Sequence, residues 1–187
     1  MRNDIIDFLK DEIYCRCQKA ENKFGIGCYY HIEAVVKNAE ILSKRYDANP
    51  EIVIIAAWLH DIASITDYSL YELHHMHGAE MAYEILIRFH YDEHKILLVQ
   101  DCIRNHRGSV NTNKRTIEEL CVADADAISH FDNVPSLLHL AYVTKAMSME
   151  DGKVFVRKKL ERSFHKLSNE SKIFYKDKYL SVINILS

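Results

Sequence analysis

Ile52-Val-Ile-Ile-Ala-Ala-Trp-Leu-His-Asp61 is the stretch on which the fold turns. Its first eight residues are apolar, and an imidazole and a carboxylate follow at once. A run apolar almost all round is expected of a central helix buried on most sides. Asn49-Pro50 ahead of it is a helix-start signal, with Asn at the cap and Pro in the first turn. An ionisable residue at the edge of a core is costly unless it is paired or coordinates a metal. His60-Asp61 therefore marks a site. His31 precedes the pair, Asp126 follows it much later, and all four are metal-ligand residue types.

Outward from this run, nearly every segment reads as helix. Asn3–Phe24 places apolar residues at Ile5, Ile6, Leu9, Ile13 and Tyr14, a helical period, and Gly25-Ile-Gly27 is a natural stop. His31–Tyr46 repeats the pattern. Ser64–Ser69 reads as a loop, followed by helices at about Leu70–Phe89 and Asp92–Asn105. The polar stretch Gly108-Ser-Val-Asn-Thr-Asn113 reads as the clearest loop. Helices are then expected at about Thr116–Phe131, Val134–Met149, Val154–Leu167 and Glu170–Leu186. No period-2 strand stands out, so the fold class is all-α. Only 5 Gly and 2 Pro in 187 residues agree with long regular elements.

Length and composition bound the rest. The chain fits one domain over residues 1–187 and can bury a sizeable core. A net charge of -3 and a pI near 6.4 argue against a dedicated polyanion binder. No nucleic-acid partner is implied. No apolar stretch reaches the ~20 residues that span a bilayer, so no membrane role is expected. The five cysteines are odd in number and form no CxxC pair. With no signal peptide at Met1–Lys10, reduced cytoplasmic thiols are expected. Cys15-x-Cys17 would point to different faces of a helix, which favours buried or incidental thiols over a metal pair. After about residue 150, Lys153, Arg157, Lys158, Lys159, Arg162, Lys166, Lys172, Lys176 and Lys178 accumulate with Glu161, Glu170 and Asp177 between them. A solvated helix face is the default there, and an acidic partner or substrate the alternative.

Histidine is the outlier: of 11, eight lie between His31 and His106. Neutral imidazole is the commonest metal ligand. On a helical domain the ligands must converge from different helices, and His31, His60-Asp61 and Asp126 belong to three. His60 and Asp61 can share one ion only near a helix end, where the apolar run stops. Two imidazoles and two carboxylates with open positions suit Mn, Fe, Co, Ni, Zn or Mg.

These residues resemble the HD-domain superfamily of metal-dependent phosphohydrolases. The matching motifs are His31 in Tyr30-His-Ile-Glu33, His60-Asp61 in Ala57-Trp-Leu-His-Asp-Ile-Ala63, and Asp126 in Ala125-Asp-Ala-Ile128. The resemblance covers an HD core of about residues 28–131, leaving a C-terminal helical extension at about 134–187. It implies that His31, His60, Asp61 and Asp126 hold a metal. It favours Asp126 over Asp124, left as a supporting or helix-packing carboxylate. His77 in His77-Gly-Ala-Glu-Met-Ala82 and His106 in Ile103-Arg-Asn-His-Arg-Gly108 resemble the added histidines of binuclear branches, where Asp61 would bridge two ions. His74 and His75 are assigned to a loop or surface, and His90, His94, His130, His139 and His165 to surface or satisfied core positions.

The resemblance implies a phosphohydrolase, a phosphomonoesterase or phosphodiesterase, acting on a nucleotide or other phosphate ester through metal-activated water. Asp61 is the expected catalytic residue. Arg107, and more weakly Lys37 and Arg104, are the candidate phosphate contacts. Ser64 stands where the 5′-nucleotidase branch carries Glu, which weighs against that mechanism; Asp67 is a candidate carboxylate from the neighbouring loop. No His-Asp-Gly-Tyr-Pro extension is present, which disfavours a cyclic-dinucleotide phosphodiesterase, and the ppGpp hydrolases usually carry longer flanks. The competing readings are a non-catalytic metal- or nucleotide-binding module and a di-iron HD oxygenase. The C-terminal helices are expected to pack on the core or to form the face of a homodimer.

Overall fold

The computed structural model describes residues 1–107 and 114–186; the expected loop Gly108–Asn113 lies outside them. The fold is all-α, and among the described residues no strand occurs. Its centre is α3 (Pro50–Leu59), buried from Glu51 to Leu59. Asn49 starts it as the sequence predicts, its side chain accepting from the backbone of Glu51 and Ile52 at 3.1 and 3.4 Å. Because α3 has no polar face, it must be covered on several sides, and α1 (Asn3–Cys17), α2 (Gly27–Tyr46), α6 (Glu93–Asn105) and α7 (Ile117–Asp132) pack around it. No helix among the described residues is long and apolar enough to cross a membrane.

Several boundaries differ from the sequence reading: α2 already opens at Gly27, within the expected stop, and the helix expected at Val154–Leu167 opens at Met149. The first helix stops at Cys17 because Asn22 Nδ2 takes the Cys17 carbonyl at 2.8 Å, and Gly25 turns with φ 71°. Cys17 Sγ lies 3.1 Å from Cys28 Sγ, and both are free thiols. The loop expected at Ser64–Ser69 begins instead as α4 (Ile62–Thr66), which buries Ile62, Ala63, Ser64 and Ile65. A 3₁₀ stretch, Tyr68–Leu73, then leads into α5 (His74–Arg88). The single helix expected over Val134–Met149 breaks into α8 (Val134–His139) and a π turn, Leu140–Thr144, which Lys145 N closes on Leu140 O at 2.9 Å. Ala146, with φ 48°, prevents the helix from resuming.

Two helix contacts place the site. On α5 the buried stripe His74, His75, Gly78, Ala79, Ala82, Ile85 and Leu86 keeps small residues where α5 crosses the end of α3. A Cβ at Gly78 would lie 3.6 Å from the His60 carbonyl, so the stripe brings the start of α5 to the His60-Asp61 pair. At the other end of the chain, α9 (Met149–Lys166) packs on α7 through Val156, Leu160 and Ser163, and α10 (Asn169–Ile185) packs on α7 and α9. Asp124 accepts from the Ser168 amide and hydroxyl at 3.0 and 2.6 Å, tying the α9–α10 junction to α7.

Gly152 in α9 faces the Tyr142 ring, and a Cβ there would fall 2.2 Å from Tyr142 Cε1. Gly152→Ala gains about 1 kcal/mol of helix propensity. It also displaces a packed ring whose hydroxyl donates to Met149 O at 3.1 Å, a combined cost of about 2–3 kcal/mol. A net loss of about 1–2 kcal/mol is expected, read as a lower urea midpoint at unchanged slope.

Candidate metal centre

His60 caps the C-terminal end of α3 with helical backbone, and Asp61 turns the chain into α4. At this corner the pair does not serve one point. His60 groups with His31 of α2 and Asp126 of α7, while Asp61 groups with His74 of α5 and His106 at the end of α6. Within each group the ligand atoms lie within 4.8 Å of one another. Asp61 joins the groups through its two oxygens. Oδ2 lies 3.5 Å from His60 Nε2 and 4.0 Å from His31 Nε2. Oδ1 lies 3.3 Å from His74 Nε2 and 4.0 Å from His106 Nε2.

The hydrogen bonds on the far side of each ring set its tautomer. Nδ1 of His60, His74 and His106 donates to the carbonyls of Ala57, Tyr71 and Ile103 at 2.7, 2.6 and 2.7 Å. A carbonyl only accepts, so each Nδ1 holds the proton and each Nε2 presents a lone pair. Ser129 Oγ spends its proton on Asp126 O at 2.6 Å and so accepts from His31 Nδ1 at 2.9 Å, giving the same tautomer. Ligating histidines are usually anchored in this way.

Three observations fit a divalent cation. His60 Nε2 is buried without a hydrogen-bond partner. The ε nitrogens of His74 and His106 face each other at 3.2 Å, lone pair to lone pair, an arrangement that asks for a positive charge between them. The donors, mixed imidazole nitrogen and carboxylate oxygen, suit Mn, Fe, Co, Ni or Zn.

Electrostatics keep these groups ready for an ion. Burial alone would raise the Asp61 carboxyl, but His60, His74, His106 and His31 outweigh it and hold it well below the usual range. Asp126 is likewise held well below the usual range, burial being opposed by His31, whose Nε2 lies 3.3 Å from Oδ1, and by the other nearby imidazoles. Burial, reinforced by His60, pushes His106 down to about 3, so its ring is neutral at physiological pH. Metal ligation needs these forms, since it requires deprotonated imidazole and carboxylate.

The groups open into a cavity of about 550 Å³. One wall is aromatic, where Phe24 lies against Tyr68 and Tyr71 at 5.4 and 5.5 Å and Tyr71 stacks on His74 at 5.7 Å. The cavity is also lined from α9 by Lys159, Arg162 and Lys166, and from the turn before it by Lys145, which lies beside Phe24 and Tyr68. His130 also lines the cavity, its ring 4.7 Å from that of His31 and Nδ1 3.3 Å from Ser163 Oγ. Burial, reinforced by Lys159, pushes His130 well below the usual imidazole range.

The expected site residues can now be placed. The structure brings His31, His60, Asp61, Asp126 and His106 together, but not His77. His77 sits beside the buried stripe of α5, its side chain 38% exposed and Nδ1 3.4 Å from Glu80 Oε2. His74, assigned to a loop or surface, is buried and occupies the place expected of His77; His75 is buried too. Arg107 lines the cavity with its guanidinium donating to Glu72 O at 2.5 Å. Lys37 is exposed on α2 and does not line it, and Arg104 pairs with Asp101 at 3.0 Å. Ser64 Oγ donates to Asp61 O at 2.9 Å. Asp67 caps the 3₁₀ stretch through Ser69 N at 2.8 Å and stays outside the cavity. Reasoning from sequence missed His130, although it lies one turn after Asp126 on the same helix face. It also left the α9 cations as a solvated face, although positions 159, 162 and 166 share one side of a helix.

Imidazoles and carboxylates converging from α2, α3, α5, α6 and α7 thus give this helical domain two groups able to hold a metal ion. The HD domain family model matches residues 28–130, more than half of the chain, and the chain belongs to that family. No curated protein matches it. Among solved structures it is similar to YpgQ of Bacillus subtilis in complex with ADP, at 17% identity and a TM-score of 0.65, with 95% of each chain covered. It is also similar to a predicted HD superfamily hydrolase from an uncultured Thermotogales bacterium, at 19% identity and a TM-score of 0.58. That match covers 96% of this chain and 91% of the other.

Proposed function

We propose that this protein is a metal-dependent phosphohydrolase acting on a nucleotide, with His31, His60 and Asp126 holding one divalent ion and His74 and His106 a second. The reading rests on one observation above all: the two oxygens of Asp61 address two separate sets of unprotonated ε nitrogens, the geometry of a bridging carboxylate. Bound divalent ions supply Lewis acidity toward a phosphoryl oxygen and make water a nucleophile at neutral pH.

The chain's own residues do the rest. Asp61 and Asp126 bring negative charge to the ions and line the cavity together with His31, His74 and His106, while His60 is fully buried behind them. The backbone carbonyls of Ala57, Tyr71 and Ile103 keep the ε nitrogens aimed inward. Phosphoryl transfer is catalysed mainly by positioning and charge neutralisation, and Arg107 and the α9 cations border the same cavity. The aromatic wall offers a face for a base, and the ADP complex of the Bacillus subtilis protein favours a nucleotide over a simpler ester. Both ligand groups open to a cavity, whereas a purely structural metal site is normally closed. The odd cysteine count without a CxxC pair fits action in a reducing cytoplasm.

The test is reconstitution. Elemental analysis of the purified protein should find two divalent ions per chain. Nucleotides offered with Mn, Co, Ni or Mg should release phosphate or pyrophosphate, chelation should stop the reaction, and metal should restore it. Failure of the fully loaded protein to hydrolyse any nucleotide or phosphate ester would overturn the reading. Oxygen consumption by the iron-loaded protein would point to the oxygenase class instead.

A further inference from the structure

The α9 helix lies outside residues 28–130, the part of the chain that the HD domain match covers, yet it supplies one wall of the cavity. Lys159, Arg162 and Lys166 are spaced by three and four residues, so they share the face turned to the cavity, and Lys145 lines the same cavity from the preceding turn, beside Phe24 and Tyr68. Among the described residues none of these four forms an ion pair with a carboxylate. Arg157, on another side of the same helix, does: its Nε meets Glu161 Oε1 at 3.1 Å. Like charges one helical turn apart repel; Lys159 and Lys166 are half-buried where they line the cavity, while Arg162 lines it exposed. The half-buried Lys159 lines the cavity together with Asp61 and Asp126. Cations gathered at a partly desolvated wall without matching acids are arranged for an anion that arrives from outside.

The array is also longer than one phosphoryl group. From Lys159 to Lys166 the helix rises about 10 Å. A monophosphate seated at the Asp61 cluster would leave most of these cations unused, whereas a chain of two or three phosphates would run along them. The aromatic residues adjoin His74, on whose ring Tyr71 stacks.

We infer that α9 is a phosphate-chain subsite: Lys159, Arg162 and Lys166, with Lys145, hold phosphates beyond the one at the Asp61 cluster, so the substrate is a nucleoside di- or triphosphate rather than a monophosphate. The inference deepens the nucleotide reading above and rests on it.

Equilibrium titration of the full-length, metal-free protein tests the subsite without any turnover. Inorganic phosphate, tripolyphosphate and ATP serve as probes. Tripolyphosphate is expected to bind at least about tenfold more tightly than phosphate, with an affinity that falls steeply with salt. Arg162→Gln and Lys166→Gln should each weaken tripolyphosphate about fivefold to tenfold, and the double variant should bring it within about threefold of phosphate. Arg162→Lys should recover part of the loss. Arg157→Gln, on another face of the helix, should change tripolyphosphate binding by less than about twofold. Arg162 is exposed and Lys166 half-buried, so thermal melts should show all variants folded. Tripolyphosphate binding no tighter than phosphate would overturn the subsite, and so would an equal loss from Arg157→Gln. ATP binding no tighter than tripolyphosphate would overturn the nucleoside part. If the binding pattern holds but the loaded protein hydrolyses nothing, the hydrolase reading falls and the subsite stands. Hydrolysis confined to monophosphates, with flat binding, gives the reverse.

Discussion

Asp61→Ala is expected to lower metal-dependent kcat by at least about a thousandfold while leaving the far-ultraviolet circular dichroism unchanged. The size follows from what the side chain touches. Its two oxygens join the His31–His60–Asp126 group to the His74–His106 pair. Losing a carboxylate common to both takes away a ligand from each side and their shared charge balance. A stabilisation of about 4 kcal/mol at the transition state corresponds to the expected loss, at 1.36 kcal/mol per factor of ten. Helical content should survive because the core around α3 is built from Ile52, Ile55 and Leu59, none of which relies on the carboxylate. In metal-free protein the neutral imidazoles lose little when Asp61 goes, so its melting temperature should shift by only a few degrees. The contrast should appear on adding metal. Wild-type protein gains stability as RT ln(1 + [L]/Kd), about 4 kcal/mol at a thousand times Kd, and the variant should gain far less. Full activity in Asp61→Ala would sink the mechanism. Asp61→Asn separates charge from shape, since it retains one acceptor oxygen but not the negative charge, and it should be nearly as inactive.

Much of this arrangement is legible in the sequence because apolar run and ligand residue coincide. A helix with no polar face has to be central, so an imidazole and a carboxylate at its end must face inward. His31, Asp126 and His106 are legible for a similar reason, each lying beside buried positions such as Ile32, Ala125 and Ile103. The parts that stay hidden depend on registers that short segments do not display. Ser64–Ser69 reads as loop because the helical segment it overlaps, Ile62–Thr66, is only five residues long and rich in β-branched side chains; its helical form comes from burying Ile62 and Ile65. The break after His139 is a matter of one extra residue per turn, which periodicity over Val134–Met149 does not reveal. On α9 the three cavity-facing cations are interleaved with Lys158 and Glu161, so composition suggests a solvated face while only the packing of Val156 and Leu160 shows which side turns inward.

The His74 and His77 variants discriminate most sharply, because sequence motif and geometry choose different residues three positions apart. His77 sits in the context that resembles the second-metal histidine of binuclear relatives. The 3₁₀ stretch ahead of α5, however, delivers the chain so that His74 is its first residue, directly above the Gly78–Ala79–Ala82 stripe that packs toward His60. From there His74 Nε2 reaches Asp61 Oδ1 at 3.3 Å and His106 Nε2 at 3.2 Å. His77 is turned about 100° off that stripe, toward Glu80 and solvent. His74→Ala should therefore reduce bound metal from two ions per chain to one and lower kcat by more than about a hundredfold, the scale of losses seen even for groups that only orient metal ligands. Some stability is lost with it, because Tyr71 stacks on the ring and Tyr71 O accepts from Nδ1, so metal content is the decisive readout. His77→Ala should leave stoichiometry at two ions and stability within about 0.5 kcal/mol, as for other surface changes. The opposite outcome, loss of the second ion in His77→Ala with retention in His74→Ala, would mean that α5 turns by most of a residue when metal binds. Its small-residue stripe resists that rotation, since turning it would drive Met81 and His77 into the space that Gly78 and Ala82 now leave for Ile62 and Ile103.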